Sequence, residues 1–314
     1  MNGDAGNDVL KGVSRSFYLT LRLLPQPMRR AASLGYLLAR TSDTLADTAA
    51  APTDVRMECL GNFVRALVGG SGTQRWPAAI IHSIADPRER RLLECSDELF
   101  KLLRNLPPGE AALVREVVAI IVSGQILDLQ RFAGATCGHP IALQDEAALE
   151  DYAWRVAGCV GAFWTRLGFL TLGRRFSTTP EPVLLEQGIA YGKGLQLVNI
   201  LRDLGADLAA GRCYLPVADP RNPGQILACH AHWLDRAELW ISQGPIYAES
   251  LCTRRLRAAT ALPALLARKT LEPLRGATWD MLQTRIKVPR RVVYQSVIGA
   301  FLKGRRNRDG SAYA

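Results

Sequence analysis

"GKGLQLVNILRDLGAD", residues 192–207, decides how the rest of the chain is read. Gln196, Asn199, Asp203 and Asp207 step by three, four and four, which places them along one face of a helix. Leu195, Leu197, Val198, Ile200, Leu201 and Leu204 surround that stripe and leave little surface for solvent. The stripe is therefore expected to face inward. Carboxylates taken out of water are costly unless they are paired or bound to a metal.

The same arrangement recurs. In "YLLARTSDTLAD" (36–47), Tyr36, Arg40, Asp43 and Asp47 step by four, three and four; in "SGQILDLQRF" (123–132), Gln125 and Asp128 step by three between apolar neighbours. One such stripe alone reads as an exposed helix face. Two D-x-x-x-D stripes in one helical chain read differently, because four aspartates around one apolar cavity repel each other unless divalent cations neutralise them. A donor set of carboxylates without His or Cys suits Mg²⁺, which keeps waters and bridges to substrate phosphates. Arg40 and Arg202 stand beside the aspartates and offer planar forks to further phosphate oxygens. The stripes thus imply a Mg²⁺–diphosphate site at the mouth of an apolar cavity.

The chain around them is all-α. Residues 29–47, 55–68, 88–104, 110–133, 146–173, 181–208 and 233–258 carry apolar residues at three- and four-residue spacing. Breakers separate them: GGSG at 69–72, LPPGE at 106–110, GATCGHP at 134–140, TTPEP at 178–182 and DPRNPG at 219–224. Strand-type alternation, repeats and a domain linker are missing from the pattern. The expectation is a single domain over 1–302, followed by a basic, disordered tail at 303–314.

With 314 residues, 48% hydrophobic and 22% charged, the composition is that of a globular protein. No uninterrupted apolar run reaches bilayer length, and the N-terminus reads as no signal peptide. Seven cysteines without a C-x-x-C pair read as reduced thiols in the cytoplasm. The net charge is +10, and residues 285–308 hold eight basic side chains and no acidic one. That segment suits peripheral contact with an anionic membrane. A nucleic-acid surface is not expected, since the basic residues are not interleaved with aromatics. "GIAYGKG" (188–194) has the wrong spacing for a phosphate loop and reads as helix packing. No G-x-G-x-x-G occurs, so a dinucleotide, if bound, would be held without a Rossmann unit. Cys229, His230 and His232 have no second cluster to complete a zinc site.

These motifs together resemble the squalene/phytoene synthases, the head-to-head branch of the all-α isoprenoid synthases. "GVSRSFYLTLRLLPQPMRRAASLGYLLARTSDTLAD" (12–47) is similar to the family's S-R-S-F opening and Y-x-x-x-R-x-x-D-x-x-x-D. "SGQILDL" is similar to G-M-x-x-D-L, and "DYAWRVAGCVG" (151–161) to Y-C-x-x-V-A-G-x-V-G. "GKGLQLVNILRDLGADLAAGRCYLP" is similar to L-Q-x-x-N-I-x-R-D-x-x-x-D followed by G-R-x-Y-x-P. The resemblance covers roughly residues 12 to 216 and is loose beyond.

It implies the isoprenoid synthase fold, with Asp43, Asp47, Asp203 and Asp207 holding Mg²⁺. Ser14, Arg15, Tyr36, Arg40 and Arg202 contact diphosphate, Gln196 and Asn199 support the second motif, and Phe17 lines the apolar pocket. Gln125 and Asp128 belong to the substrate site. Tyr152 matches the motif Tyr. Arg155 stands where eukaryotic squalene synthases carry a Tyr credited with catalysis and bacterial members often have Arg or Gly. The implied reaction joins two farnesyl diphosphates through presqualene diphosphate to squalene, with NADPH as reductant, in a monomer. Phytoene, dehydrosqualene or hydroxysqualene are the alternative products, geranylgeranyl diphosphate the alternative donor, and a non-catalytic membrane-surface protein of the same fold the rival. Thr44, in D-T-L-A-D, leans toward squalene.

Overall fold

The structure is a computed structural model, and it describes residues 17–48, 50–69 and 76–284. Ser14, Arg15, the basic segment 285–308 and the tail 303–314 lie outside the described residues, as do three of the four residues of GGSG. Helices dominate, as the periodicity requires. Their order is α1 (Phe17–Leu23), α2 (Gln26–Asp47), α3 (Thr53–Leu67), α4 (Ala78–Ser83), α5 (Pro87–Glu94), α6 (Ser96–Arg104) and α7 (Pro108–Arg131). After them come α8 (Glu146–Ala153), α9 (Cys159–Leu172), α10 (Glu181–Ala209), α11 (Pro223–Glu249), α12 (Arg254–Arg275) and α13 (Trp279–Gln283). A single π turn, Trp154–Gly158, joins α8 to α9 without a break. Two-residue strands β1 (Ile141–Ala142) and β2 (Arg212–Cys213) pair in parallel.

The breakers in the sequence are helix starts. Proline costs nothing at the first helical position, where its missing N–H has no partner to lose. Pro108, Pro182 and Pro223 each sit within the first two positions of a helix. Asn222 caps α11 by accepting from the Gly224 and Gln225 N–H groups at 2.9 and 3.2 Å. Asp86 caps α5 in the same way, through the Arg88 N–H at 2.8 Å.

Two elements differ from the periodic reading. Residues 88–104 form two helices that meet at Cys95. The expected helix 233–258 is in fact the end of α11 and the start of α12, with Ser250–Thr253 between them. Thr253 starts α12 by accepting from the Leu256 N–H at 3.3 Å. The full length of α12 was hidden by Pro263 and Pro273, which lie inside it and read as breakers. The stretch Glu146–Arg175 is, by length and composition, apolar enough to cross a membrane, with hydropathy 1.3. The core helix of a water-soluble fold meets the same description.

The chain divides into two compact units. One takes in the described residues up to Ala133, with Arg166–Leu172. Within it α2 packs on α7, α3, α5 and α6. Its core is built on Leu34, Leu38, Leu45, Leu60, Phe63, Phe100, Val118 and Val122. The Phe63 and Phe100 rings lie 5.3 Å apart, and the buried Trp76 indole donates to the Leu93 carbonyl and the Ser96 hydroxyl.

The other unit comprises Gly134–Thr165 and Gly173 onward. Here α10 runs against α11, the π turn and α12. Glycine makes these contacts close. A Cβ on Gly161 would fall 1.9 Å from the Gly188 carbonyl oxygen, and one on Gly192 would fall 2.3 Å from that of Ala157. The glycines of "GIAYGKG" are therefore helix-packing residues. Tyr191 donates from this seam to the Thr260 carbonyl at 2.8 Å.

Candidate active site

On α2 the buried residues are Ala31, Ala32, Leu34, Gly35, Leu37, Leu38, Thr41, Ser42, Thr44 and Leu45. That leaves the stripe of Tyr36, Arg40, Asp43 and Asp47 on the more open side, half-buried to exposed. Asp43 sits deepest among the two carboxylates. Burial and then the charge of Asp47 push its carboxyl up to about 6, against the opposing pull of Arg40 and a hydrogen bond from Gln125. That bond runs from Gln125 Nε2 to Asp43 Oδ1 at 2.5 Å and ties α7 to α2. The carbonyl oxygen of the same Gln125 side chain is shut off from solvent and has no hydrogen-bond partner. Asp128, three residues on, is half-buried with one carboxylate oxygen closed off from solvent.

Arg40 is shared between two acids. Its Nη2 donates to Oε1 of Glu89 on α5, and its Nη1 lies 3.8 Å from Asp43 Oδ2. Burial works against its charge, but Glu89 and Asp43 outweigh that and raise its pKa. Thr44 is buried and donates to the Arg40 carbonyl at 3.0 Å. Whatever it signals about product acts through packing, because its hydroxyl is spent inside the helix.

On α10 the stripe is more open than the apolar flanks suggest. Asn199 is exposed, and Gln196, Asp203 and Asp207 are half-buried. Leu197, Val198, Ile200, Leu201 and Leu204 fill the opposite side, so the helix is apolar over only part of its circumference. The expectation that Asn199 is buried is thus corrected, and an anionic substrate can reach the stripe from solvent. Each aspartate has an arginine. Arg202 grips Asp203 through both Nε, at 3.0 Å, and Nη2. Arg212, on β2, donates to Asp207 Oδ1 at 3.0 Å. The β1–β2 pairing and the left-handed turn at Gly211 (φ 81°) bring Arg212 back beside the helix end.

The motif at 151–161 carries a further group. The Tyr152 and Tyr214 rings stack at 4.8 Å with their hydroxyls 3.5 Å apart. Arg155 is engaged by Asp151 one turn earlier, at 2.9 Å. Lys193 donates to Glu150 at 2.5 Å and lies 4.2 Å over the Trp240 ring. The π turn falls within this motif, and such turns recur at functional sites. Phe17 belongs to α1.

The donor set fits Mg²⁺. Among the described residues no three His, Cys, Asp or Glu side chains form a closed cage. Mg²⁺ does not require one, since it binds through one or two carboxylates, waters and substrate phosphates. Asp43 and Asp47 supply two carboxylates one turn apart, with the orphaned Gln125 oxygen beside them. Cys229, His230 and His232 do not converge. His230 is buried against the Leu201 carbonyl, Cys229 turns to the Pro216 carbonyl, and His232 faces Glu146.

The sequence reading missed Glu89, Arg212 and Tyr214. Arg212 and Tyr214 stand in the G-R-x-Y-x-P stretch and were legible there. Glu89 lies in "DPRERR", which looks like an ordinary solvated charge run.

Comparison with known proteins agrees with the motifs. The presqualene diphosphate synthase of Rhodopseudomonas palustris is 29% identical over 214 residues, 64% of this chain and 58% of that protein. The 15-cis-phytoene synthase of a Synechocystis strain is 32% identical over 209 residues, 66% of this chain and 53% of that protein. The chain thus spans little more than half the length of these relatives. A solved structure of a dehydrosqualene synthase with a bound ligand shares the fold, at a TM-score of 0.64 and 21% identity over 95% of both chains. The squalene/phytoene synthase family model matches residues 10–292, and the chain belongs to that family.

Proposed function

We propose that the chain joins two farnesyl diphosphates head to head in a Mg²⁺-dependent reaction that yields presqualene diphosphate. The observation that carries this reading is the pair of D-x-x-x-D stripes, each on the open side of its helix and each with an arginine at hand. Bound at the aspartates, Mg²⁺ would draw electron density from a diphosphate leaving group. Arg40 beside the first stripe and Arg202 beside the second each offer a planar fork to the phosphate oxygens of a bound diphosphate. The C1–O bond of that donor breaks, the electrons leave with diphosphate, and an allylic cation remains. The double bond of the second donor attacks this carbon, a proton is lost and the cyclopropane ring closes. Tyr36 and Tyr152 are assigned to the reacting end of the substrates, with Tyr214 holding Tyr152 in place. Gln125 orients Asp43, while Gln196 and Asn199 support the second stripe.

The second reading continues to squalene with NADPH as hydride source, and the Thr of D-T-L-A-D favours it. No residue set among those described marks a nicotinamide site. Geranylgeranyl diphosphate as donor, with a phytoene-type product, is the outcome the phytoene synthase relative favours. For location we propose a cytoplasmic monomer, held peripherally at anionic membrane by the basic segment. Retention in the supernatant with anionic liposomes at low salt would refute that attachment.

The test is incubation of the purified chain with farnesyl diphosphate and Mg²⁺, with and without NADPH, and mass analysis of the extract after phosphatase treatment. Presqualene alcohol without NADPH supports the first reading, and squalene appearing only with NADPH extends it to the second. Absence of any C30 product, with turnover of geranylgeranyl diphosphate instead, overturns both.

A further inference from the structure

Glu89 is not among the residues that the motifs pick out, yet it forms an ion pair with Arg40 of the first aspartate stripe. It comes from α5, across a helix–helix contact, and it is about a quarter exposed. Its carboxylate takes Nη2 of Arg40, whose Nη1 is thereby left 3.8 Å from Asp43. Arg40 and Asp43 are three residues apart on one helix, a spacing at which an arginine and an aspartate close readily into a direct pair. They do not close here. On α10, where Arg202 contacts no second acid among the described residues, its Nε and Nη2 both lie on Asp203.

We propose that Glu89 is a positioning residue that holds the Arg40 guanidinium off Asp43, so that the carboxylate stays open to a divalent cation. Three observations support it. Oδ1 of Asp43 is occupied by Gln125 and Oδ2 by nothing closer than Arg40 at 3.8 Å, so Oδ2 is the oxygen kept open. The Nε of Arg40 is shut off from solvent without a hydrogen-bond partner, so the fork is anchored at one nitrogen rather than saturated. Glu89 also carries the negative charge needed to outcompete Asp43 for a cation one turn away on its own helix. Without Glu89, Arg40 would fall onto Asp43, and a metal ion would have to displace it.

This inference rests on the reading of Asp43 as a metal ligand and Arg40 as a diphosphate contact. The test compares wild type, Glu89→Gln, Glu89→Asp, Arg40→Gln and the Glu89→Gln/Arg40→Gln double variant. Two quantities are measured: Mn²⁺ affinity in the presence of inorganic diphosphate, from the free-ion paramagnetic resonance signal, and the Mg²⁺ concentration at half-maximal velocity.

Glu89→Gln is expected to weaken both about fivefold, the effect of one partly exposed charge pair, with kcat at saturating Mg²⁺ nearly kept. Glu89→Asp should recover most of the loss. In the Arg40→Gln background the Glu89 change should do nothing further, because its effect runs through Arg40. An undiminished Glu89 effect in that background would mean direct attraction of the cation, and would overturn the proposal. So would a fall in kcat and melting temperature at unchanged Mn²⁺ affinity, which is what a purely structural residue gives. Asp43→Asn separates the two levels. If it abolishes turnover while Glu89→Gln leaves Mn²⁺ affinity intact, only the role of Glu89 is refuted. If Asp43→Asn turns over normally, the parent reading falls.

Discussion

The two aspartate stripes have the same spacing and different arginine partners. On α2, Asp43 faces a second acid, Asp47, with a third, Glu89, claiming the nearby arginine, and its proton affinity rises accordingly. On α10, Asp203 and Asp207 each hold an arginine of their own. Beside the first stripe one arginine is shared between Asp43 and Glu89, whereas on the second an arginine bonds each aspartate. The difference teaches that D-x-x-x-D specifies where two carboxylates stand, and not what they need. On the proposed reading, Asp43, whose carboxyl is raised by burial and by Asp47, is the carboxylate a divalent cation would relieve most. On α10 the same carboxylates hold guanidinium groups, for which the proposed diphosphate and metal would have to compete.

The largest effect tests whether both stripes act in the reaction. Asp43→Asn and Asp203→Asn should each lower turnover of farnesyl diphosphate by about 10³-fold or more, roughly 4 kcal/mol of barrier. Circular dichroism should show a folded chain in both cases, since each residue is at least partly open to solvent. Near-normal turnover of either variant, measured as diphosphate release, would remove that stripe from the site.

Next is the packing that places the second stripe. Gly161→Ala puts a methyl group 1.9 Å from the Gly188 carbonyl, and backbone on both sides leaves nothing to rotate away. The α9–α10 seam must open, with a loss of about 3 kcal/mol or more. A denaturant midpoint unchanged from wild type would show that the seam is looser than described. Activity lost in step with stability would show that α10 is held in register by this glycine pair.

The arginines sharpen the comparison itself. Arg202→Gln strips Asp203 of the guanidinium that grips it through two nitrogens and removes a proposed diphosphate contact, while Arg40→Gln removes a proposed contact shared with Glu89. The expected order is a larger loss in kcat/KM for Arg202→Gln, about 10²-fold, than for Arg40→Gln, about tenfold. Mg²⁺ dependence should separate them further. Arg40→Gln frees Asp43 of its nearest cation and should lower the Mg²⁺ requirement. The reverse order would make α2 the principal diphosphate grip.

Much of this was legible in the chain. Helical spacing alone placed Tyr36, Arg40, Asp43 and Asp47 on one face, and Gln196, Asn199, Asp203 and Asp207 on another. Gln125 was picked from a spacing of three, and it does bind Asp43. What spacing could not convey was degree of burial. Asn199 is exposed because a helix with apolar residues on one side can still open its polar stripe to solvent. Glu89 was invisible for a different reason: its partner is forty-nine positions away, and only tertiary packing makes a charge in "DPRERR" different from its neighbours. α12 was hidden by two internal prolines whose helix is held by packing rather than by propensity.

The smallest effect is the most diagnostic of the contrast, because it separates fold from function at one residue. The Asp43 carboxyl is raised from 3.8 to about 6, chiefly by burial and then by Asp47. Between those values the folded chain holds a proton that the unfolded chain has released. Stability therefore falls as pH rises through that window and stays lower above it. Asp43→Asn escapes this loss, and its amide oxygen still accepts from Gln125. The variant should melt higher than wild type at pH 7.5 by about 2 °C, equivalent to about 1 kcal/mol once the partial exposure of Asp43 is allowed for. The advantage should shrink as pH falls from 6 toward 4 and be gone only below the ordinary carboxylate value of 3.8, where wild-type Asp43 is protonated in both states. Melting curves of both proteins across that range decide it. A constant difference at all pH values would assign the gain to packing instead of charge. A wild type that is the more stable protein at pH 7.5 would show that Arg40 and Gln125 already compensate Asp43, and the contrast between the two stripes would disappear. The expected result makes Asp43 a residue that costs the fold stability at neutral pH, which is what its proposed role as a cation ligand requires of a half-buried carboxylate.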